Sequence, residues 1–527
     1  MNTEKIWGID LGTTNSVIAL FDDNIRQPVV MKDEDTGRET TPSVVSFERQ
    51  PDGTEEVKVG EAPRRNLAAA PKTICAWVKR EMGKSKEEFQ FLGRAAEEVS
   101  AHILKHLVDY ACRSAGEKKP ERPQVVITVP AYFREPEKRA TRAAGEIAGL
   151  NVRDLVHEPV AAAISYGHSR LKERKNLIVF DLGGGTLDVS VMTVQPGERF
   201  RADVHGSFGS RDLGGKDWDE RLIELITNKF SAEHGLVLDD AKNPILRLKL
   251  HEEAEIAKHT LSTSQSHKVT LLVDGTGKSV DVSRQEFEEW SRALLEQTMR
   301  DMERALQHAK DSSLHIDEIL LVGGSSRMPA VARTIKDKFG LDSRLHDPDL
   351  AIAKGAAIYG EMLRKGEVMT DVTGLEGSRV AASAVRNVTP HAIGIGLLRD
   401  GDDPKSYFVR QVIAPQSRIP AKNETTVYTI RENQTLVEFE IYESREAGPS
   451  EDPKENELIH SKSIDTPPNL PKEAPLLLTT ALDSSGMLHI HIKEPTSGKQ
   501  WEIEVQREGS MTADELRRAA TRVAAAA

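Results

Sequence analysis

A chain of 527 residues is too long for one hydrophobic core and sets an expectation of about three or four domains. With a net charge of −12, 29% charged residues and only 5% aromatic ones, it lacks the basic surface that nucleic acid requires, and no nucleic-acid partner is expected. Cys75 and Cys112 are its only cysteines, too few for a disulfide framework or for most metal sites, and both are expected to be buried and reduced.

Met1 to Lys5 passes into a strand without the basic and apolar regions of a leader, and no later run is long or apolar enough to cross a bilayer. A cytoplasmic protein with no membrane partner is expected. Residues 6 to about 35 read as a strand meander in which Ile9-Asp10-Leu11-Gly12-Thr13-Thr14-Asn15-Ser16 forms a glycine turn between two apolar runs. Thr41 to Phe47 reads as a further strand opened by a proline, and Ile74 to Met82 as a helix carrying Lys79. A lone lysine there reads as a solvated charge. Residues 95 to 115 place Val99, Ile103, Leu107, Tyr110 and Ala111 at helical spacing. Val125 to Pro130 then reads as a buried strand, Arg134 to Ile147 as a helix, and Val160 to Tyr166 as a small-residue helix that Glu158 precedes, where a carboxylate serves as a cap.

The run Asn176 to Val179 leads into Phe180-Asp181-Leu182-Gly183-Gly184-Gly185-Thr186-Leu187-Asp188, which repeats the plan of the opening turn. Each copy is an apolar run ending in Asp, then glycines, then hydroxyls, then a second apolar run. Glycines let backbone amides approach an anion, and Thr13, Thr14 and Thr186 add hydroxyl donors. Asp10 and Asp181, at matching strand ends, offer hard oxygen atoms to a hydrated Mg²⁺. Either copy alone reads as an ordinary glycine turn; the duplication favours two hairpins clasping a polyphosphate.

Leu213-Gly214-Gly215-Lys216-Asp217 opens a helix from Trp218 to Phe230, and Gly214 and Gly215 would let its first amides meet a phosphate. Pro244 to Leu261 reads as a helix with Glu255, Lys258 and Ser262 on one face, where an ordinary i, i+3 ion pair is the plain reading. Ile319 to Arg327 is a strand ending in a third glycine turn, Gly323-Gly324-Ser325. The stretch Gly366 to Asn387 has linker composition. Beyond Val388 the pattern is all-β, with strands at Ile393–Leu398, Tyr407–Ile413, Thr425–Arg431, Leu436–Tyr442, Leu476–Leu482, Leu488–Ile492 and Gln500–Val505. Glu446 to Pro475 reads as a mobile insertion, and Thr512 to Val523 as a helix opened by a Thr512/Glu515 capping box.

IDLGTTNS, VPAYF, HEPVAAAISYG, FDLGGGTLDVS, LGGKDWDERL and LLVGGSSRMPAV, in that order from residue 6, resemble the signature stretches of the 70-kDa heat-shock chaperones of DnaK type. The match extends to about residue 510. It implies an α/β fold: an actin-like two-lobed ATPase domain over residues 1–370, a linker over 371–387, a β-sandwich that binds peptide over 388–508, and a shortened helical lid segment over 509–527.

By the same resemblance Lys79 reaches the transferred phosphate and its attacking water, and Glu158 joins the metal's hydration shell. With Asp188 and Thr186 they form the catalytic set. Gly12, Thr13, Thr14, Asn15, Gly183, Gly184, Gly185, Gly214 and Gly215 hold the phosphates. Glu255, Lys258 and Ser262 grip adenine and ribose, and His259 stands where an arginine is common; Gly323, Gly324 and Ser325 hold the α-phosphate and ribose side with Arg327 stacking near the base, and Asp349, also a nucleotide-binding residue, helps close the domain. Pro130 takes the family's relay position, and Lys138 replaces its relay arginine without the arginine's bidentate geometry.

Ile395, Val427, Val437 and Phe439 fall on peptide-pocket positions, with Leu398 and Ile430 at the arch over the peptide. Apolar residues alternating in a sandwich also fit its core. Val380 to Asn387 replaces the usual leucine-rich linker, so weak docking is expected, and the segment after Gly83 is short, so one small subdomain should be reduced. With so short a lid, bound peptide is expected to leave fast.

The implied activity is an ATP-dependent molecular chaperone that hydrolyses ATP and holds apolar segments of unfolded polypeptides. Its cofactors would be ATP/ADP and Mg²⁺, with K⁺ a candidate companion, and its partners a J-domain co-chaperone and a nucleotide exchange factor. A small-molecule kinase of the same clasp plan would not need residues 388 to 506. A non-hydrolysing exchange factor or scaffold would not need Lys79, Glu158 and Asp188.

Overall fold

In the first lobe of this computed structural model, Ile6–Asp10 folds back on Asn15–Asp22 as an antiparallel hairpin and pairs in parallel with Gln124–Val129 along its other edge. In the second lobe Lys175–Leu182 pairs antiparallel with Leu187–Gln195 and parallel with Glu318–Val322. The repeated motif is therefore a repeated topology. Gln124–Val129 is buried at every residue, as a central strand covered on both faces must be, and so reads as a continuous apolar run. The structure describes residues 5–526 apart from 117, 198–199, 239–242, 274–275, 369–384, 400–402, 446–449, 484 and 506–510.

Helices Glu158–Ser169 and Ala351–Arg364 cross between the two sheets. Their small residues permit it: a Cβ on Gly355 would lie 1.7 Å from the Ala161 carbonyl oxygen. Helix Ala96–Ser114 buries Val99, Ile103, Leu107, Tyr110 and Ala111 in the first-lobe core, as their spacing predicts.

The expected helix over Ile74–Met82 is not formed. Ile74–Ala76 is instead the edge strand of a three-stranded sheet with Val44–Arg49 and Glu55–Val59. Trp77 then takes a left-handed backbone (φ 59°), and only Val78–Glu81 coils, as a 3₁₀ turn. An open sheet edge that buries Ile74 and Cys75 outweighs local helix tendency. The expected strand over Thr41–Phe47 is divided between two sheets, with Thr41–Pro42 paired to the first hairpin. Between the halves, the Ser43 hydroxyl donates to the Gly12 carbonyl at 2.8 Å and fixes that turn.

The sandwich has one sheet of Tyr407–Ile413, Ile393–Leu398, Leu436–Ser444 and Asn456–Asp465. The other contains Ala421–Tyr428, Pro475–Leu482, Leu488–Lys493 and Gln500–Glu504. Ile441, Leu478 and Ile492 meet between them. Within the expected mobile insertion Glu446–Pro475, residues 446–449 lie outside the described set, but Asn456–Asp465 is an ordered ten-residue strand. Ile459 and Ile464 anchor it in the core, and because these buried positions do not alternate, the strand carries no period-two signal.

Of the expected linker, residues 371–384 lie outside the described set. Its end, Val385–Thr389, pairs in parallel with Arg201–Ser210 and antiparallel with Ser417–Ile419, so the second-lobe sheet continues into the sandwich. Strand addition is made by backbone groups, and leucine side chains are not required for it.

Helix Ala513–Ala525 carries the expected capping box, with the Thr512 amide on Glu515 at 2.8 Å. Expected as a lid segment, it packs its buried face, Ala519 and Val523, into the first-lobe core, and Arg522 forks onto Glu98 at 2.6 and 2.7 Å. No described helix is long and apolar enough to cross a membrane.

Candidate nucleotide site

The two glycine turns meet face to face. A Cβ on Gly184 would lie 2.3 Å from the Thr14 hydroxyl, and one on Gly185 2.6 Å from that of Thr13, so only glycine admits this approach. Between and around them lies a cavity of about 620 Å³. Asp10, Gly12, Thr13, Thr14, Asn15, Lys79, Glu158, Asp181, Gly183, Gly184 and Thr186 line one part of it. Glu255, Lys258, Ser262, Gly323, Gly324, Ser325, Arg327 and Asp349 line the rest. Residues chosen from seven separate stretches thus share one space.

Four of the sequence-predicted residues stand outside this lining. Asp188 is cross-strand partner to Asp181 and accepts the Tyr132 amide at 3.0 Å. Gly185 is behind the wall, where its carbonyl accepts Arg80 Nη2 at 2.9 Å. Gly214 and Gly215 do not offer their amides to a ligand as expected. The Gly215 amide donates to the Gly183 carbonyl at 2.9 Å and the Gly214 amide to Asp217 at 2.7 Å. The helix start braces the turn through the Gly215 and Lys216 amides, which donate to the Gly183 and Gly184 carbonyls, while Asp217 caps the Gly214 amide.

Charge is concentrated at the strand ends. Lys79 Nζ donates to Glu158 Oε1 at 2.5 Å, and both side chains are buried. Burial disfavours the Lys79 charge, yet Glu158, Asp10 and Asp181 together hold the ammonium above its ordinary range. Burial and then the Glu158 charge push Asp10 up to about 7, although the Thr128 hydroxyl donates to it at 3.3 Å. The same two causes hold Asp181 and Asp188 well above the ordinary carboxylate range.

The buried carboxylates of Glu158, Asp181 and Asp188 and the half-buried one of Asp10 share one ammonium, so their full ionisation would leave negative charge in excess. Asp181 and Asp188 each have one buried oxygen with no hydrogen-bond partner. Among the described residues no three side chains converge closely enough to chelate a metal directly. Hard oxygens, unmet charge and this wide spacing fit Mg²⁺ held through its own waters.

At the other end, the plain i, i+3 pair between Glu255 and Lys258 is not formed. Glu255 reaches Arg64 of the first lobe at 3.0 Å, and Lys258 bonds Asp219 at 2.7 Å and the Gly215 carbonyl at 3.0 Å. Their helix face looks into the cleft, where partners come from other elements. Ser325 donates to the Gly183 carbonyl at 2.9 Å, and Arg327 pairs with Asp349 at 2.5 Å. His259 also lines the cavity, and burial followed by the Lys258 charge keeps its pKa below the ordinary value.

Sequence reasoning missed Arg80, which bridges the Gly185 carbonyl and Asp217, the latter at 2.6 Å; its place beside Lys79 was the available signal. It also missed Thr40, Met328, Leu345, Pro348 and Ile352 in the lining. Met328 and Pro348 adjoin residues already chosen, whereas Thr40 and Leu345 carry no local signal.

In the sandwich, Ile395, Val427 and Phe439 are buried in the shared core, while Leu398, Ile430 and Val437 are half-buried. Tyr428 and Leu436, which were not singled out, are the exposed apolar residues beside them, at 59% and 54%.

A family model described as Hsp70 protein matches residues 6–93 and 88–526. Chaperone protein DnaK of Thermotoga petrophila is 34% identical over 526 residues, covering 98% of this chain and 82% of that protein. The protein of the same name from Mycoplasmoides gallisepticum is 35% identical over 532 residues, covering 98% and 83%. Both the family match and these relatives extend over the lobes, the sandwich and the final helix, and the chain belongs to the Hsp70 family.

Proposed function

We propose that the chain is an ATP-dependent molecular chaperone, in which ATP hydrolysis in the cleft serves the binding of unfolded polypeptide by the sandwich. The observation that carries this reading is the shared cavity, where both Asp-Leu-Gly turns, Lys79 and Glu158 meet around unmet buried charge.

Thr13, Thr14 and Thr186 donate to phosphate oxygens, and backbone amides of the facing turns complete the cradle. Lys79, fixed by Glu158, places positive charge where the transferred phosphate carries developing negative charge. Glu158 and Asp188 orient the attacking water and take up its hydrogen bonds. Asp10 and Asp181 would hold Mg²⁺ through water, which when bound neutralises phosphate charge. Glu255, Lys258, Ser262, Arg327 and Asp349 hold the nucleoside end. K⁺ is a candidate companion ion in the same acidic site.

Leu398, Ile430 and Val437, with Tyr428 and Leu436, supply the surface for extended apolar peptide; Ile395, Val427 and Phe439 form its floor. Coupling between the sites runs through the docked strand Val385–Thr389 and through Lys138, which reaches the Gly486 carbonyl of the sandwich at 3.4 Å. A J-domain co-chaperone and an exchange factor are the partners this reading adds. Cys75 and Cys112, both buried thiols, fit the reducing cytoplasm.

Steady-state ATP turnover measured with and without an unfolded peptide tests the proposal. Turnover that rises with peptide is expected. Absence of turnover, or phosphate transfer to a small molecule, would reject it.

A further inference from the structure

A second cavity, of about 450 Å³, lies behind the phosphate end of the cleft. Thr13, Lys79 and Thr186 line both cavities, so these three side chains are the wall between them. The volume is many times the roughly 10–15 Å³ that one water needs. Its sides come from three bodies: Lys84 from the first lobe, Arg211 from the second, and Arg445, Glu457 and Leu458 from the sandwich.

We propose that this cavity is the exit path for inorganic phosphate, an inference that rests on the ATPase reading above. Hydrolysis leaves phosphate at Thr13, Lys79 and Thr186, with ADP between it and the nucleoside end at Glu255 and Arg327. While ADP remains, the way back through the first cavity is filled. The open space touching the same three residues is the second cavity. Lys79, Arg80, Lys84, Arg211 and Arg445 attract an anion along it, although Glu88, Glu137, Asp212 and Glu457 offset most of that charge. The balance suits passage, since a strongly cationic pocket would retain the ion. Opening the wall requires the Thr13 and Thr186 hydroxyls to turn aside, while Lys79 stays on Glu158 and lines the passage.

The mouth is partly made by the sandwich. Leu458, 43% exposed, projects into it from strand Asn456–Asp465. Docking of the sandwich therefore sets the width of the path, and phosphate release answers to the peptide-binding domain even when hydrolysis does not.

The test uses the full chain in a single turnover, with hydrolysis followed by chemical quench and free phosphate by a fluorescent phosphate-binding probe. Leu458→Trp fills the mouth. It should leave the hydrolysis rate within about twofold and delay free phosphate at least tenfold, with ADP release unchanged. Phosphate that appears in step with hydrolysis in Leu458→Trp, or only in step with ADP release in the unaltered chain, would overturn the path. If scattering shows that Leu458→Trp undocks the sandwich, Lys84→Glu decides in its place: delayed phosphate supports the path and prompt phosphate overturns it. Failure of the unaltered chain to hydrolyse ATP at all would reject the ATPase reading, and the exit path with it.

Discussion

The nucleotide cleft and the seam between the first lobe and the sandwich both bury charge, but they settle it differently. In the cleft Asp181 and Asp188 each keep a buried oxygen unpartnered, and one ammonium faces four carboxylates. In the seam Arg134 meets Glu137 and, from the sandwich, Glu457, while Arg139 meets Glu135 at 2.5 Å. Glu135 also accepts the Leu488 amide of the sandwich at 3.1 Å, and Glu443 of the sandwich accepts the Glu135 amide at 3.2 Å. The seam also has an unpartnered buried atom, Arg134 Nε, so it is the excess of carboxylate over ammonium that suits the cleft to a cation. Charge bridged to the opposite domain favours one arrangement of the two, because separation would break Arg134–Glu457 and strand the buried guanidinium with its own-helix partner alone.

The strongest test of this contrast is Asp181→Asn. Removing charge from the cleft should lower ATP turnover about 10²–10³-fold at saturating Mg²⁺ while leaving docking intact. Near-normal turnover would remove Asp181 from the metal site.

Lys79→Ala comes next. Its charge acts mainly where phosphate charge develops, so turnover should fall about 10²-fold with nucleotide affinity held within about tenfold. Equilibrium titration beside the turnover assay separates the two, and an equal loss of both would make Lys79 a ground-state anchor.

On the seam, Glu457→Ala leaves Arg134 with Glu137 alone and should weaken docking by about 2 kcal/mol, the lower end for breaking a buried charged pair. Small-angle scattering would report the larger, undocked particle. Unchanged scattering would show that the backbone strand Val385–Thr389 holds the domains unaided.

Glu443 gives the seam a pH dependence. Burial raises its carboxyl to about 8 in the docked arrangement, against an ordinary 4.5, while Arg134, Lys138 and the Glu135 amide oppose the rise and Glu137 adds to it. The docked form thus binds the proton more tightly, so its contribution to docking is complete below pH 4.5 and is lost as pH rises to about 8. Glu443→Gln should flatten the docked fraction across this window, as read by interdomain energy transfer. A slope that survives the substitution assigns the effect elsewhere.

The smallest effect is expected at Arg64, whose pair with Glu255 joins the two lobes across the cleft with side chains 34% and 23% exposed. Arg64→Ala should speed nucleotide release no more than about fivefold, in keeping with the roughly 0.2–1 kcal/mol of a solvated pair. A much larger acceleration would make this pair the main latch of the cleft.

The sequence by itself determined the two facing glycine turns of the proposed phosphate site, because they rest on residue types held at fixed short spacings. Asp-Leu-Gly followed by hydroxyls is legible twice, and each copy folds into its own hairpin from local pairing. The helix Ala96–Ser114 and most sandwich strands were legible for the same reason, since their periodicity is local. Tertiary structure alone decided whatever depends on a distant partner. Ile74–Ala76 became a strand because a sheet edge was open to it, and Asn456–Asp465 because Leu436–Ser444 was. The Gly215 amide turned to the Gly183 carbonyl and that of Gly214 to the Asp217 carboxylate, Glu255 to Arg64 rather than Lys258, and the final helix to the first lobe. Burial and pairing energies of this kind exist only once remote segments meet, so no window of sequence contains them.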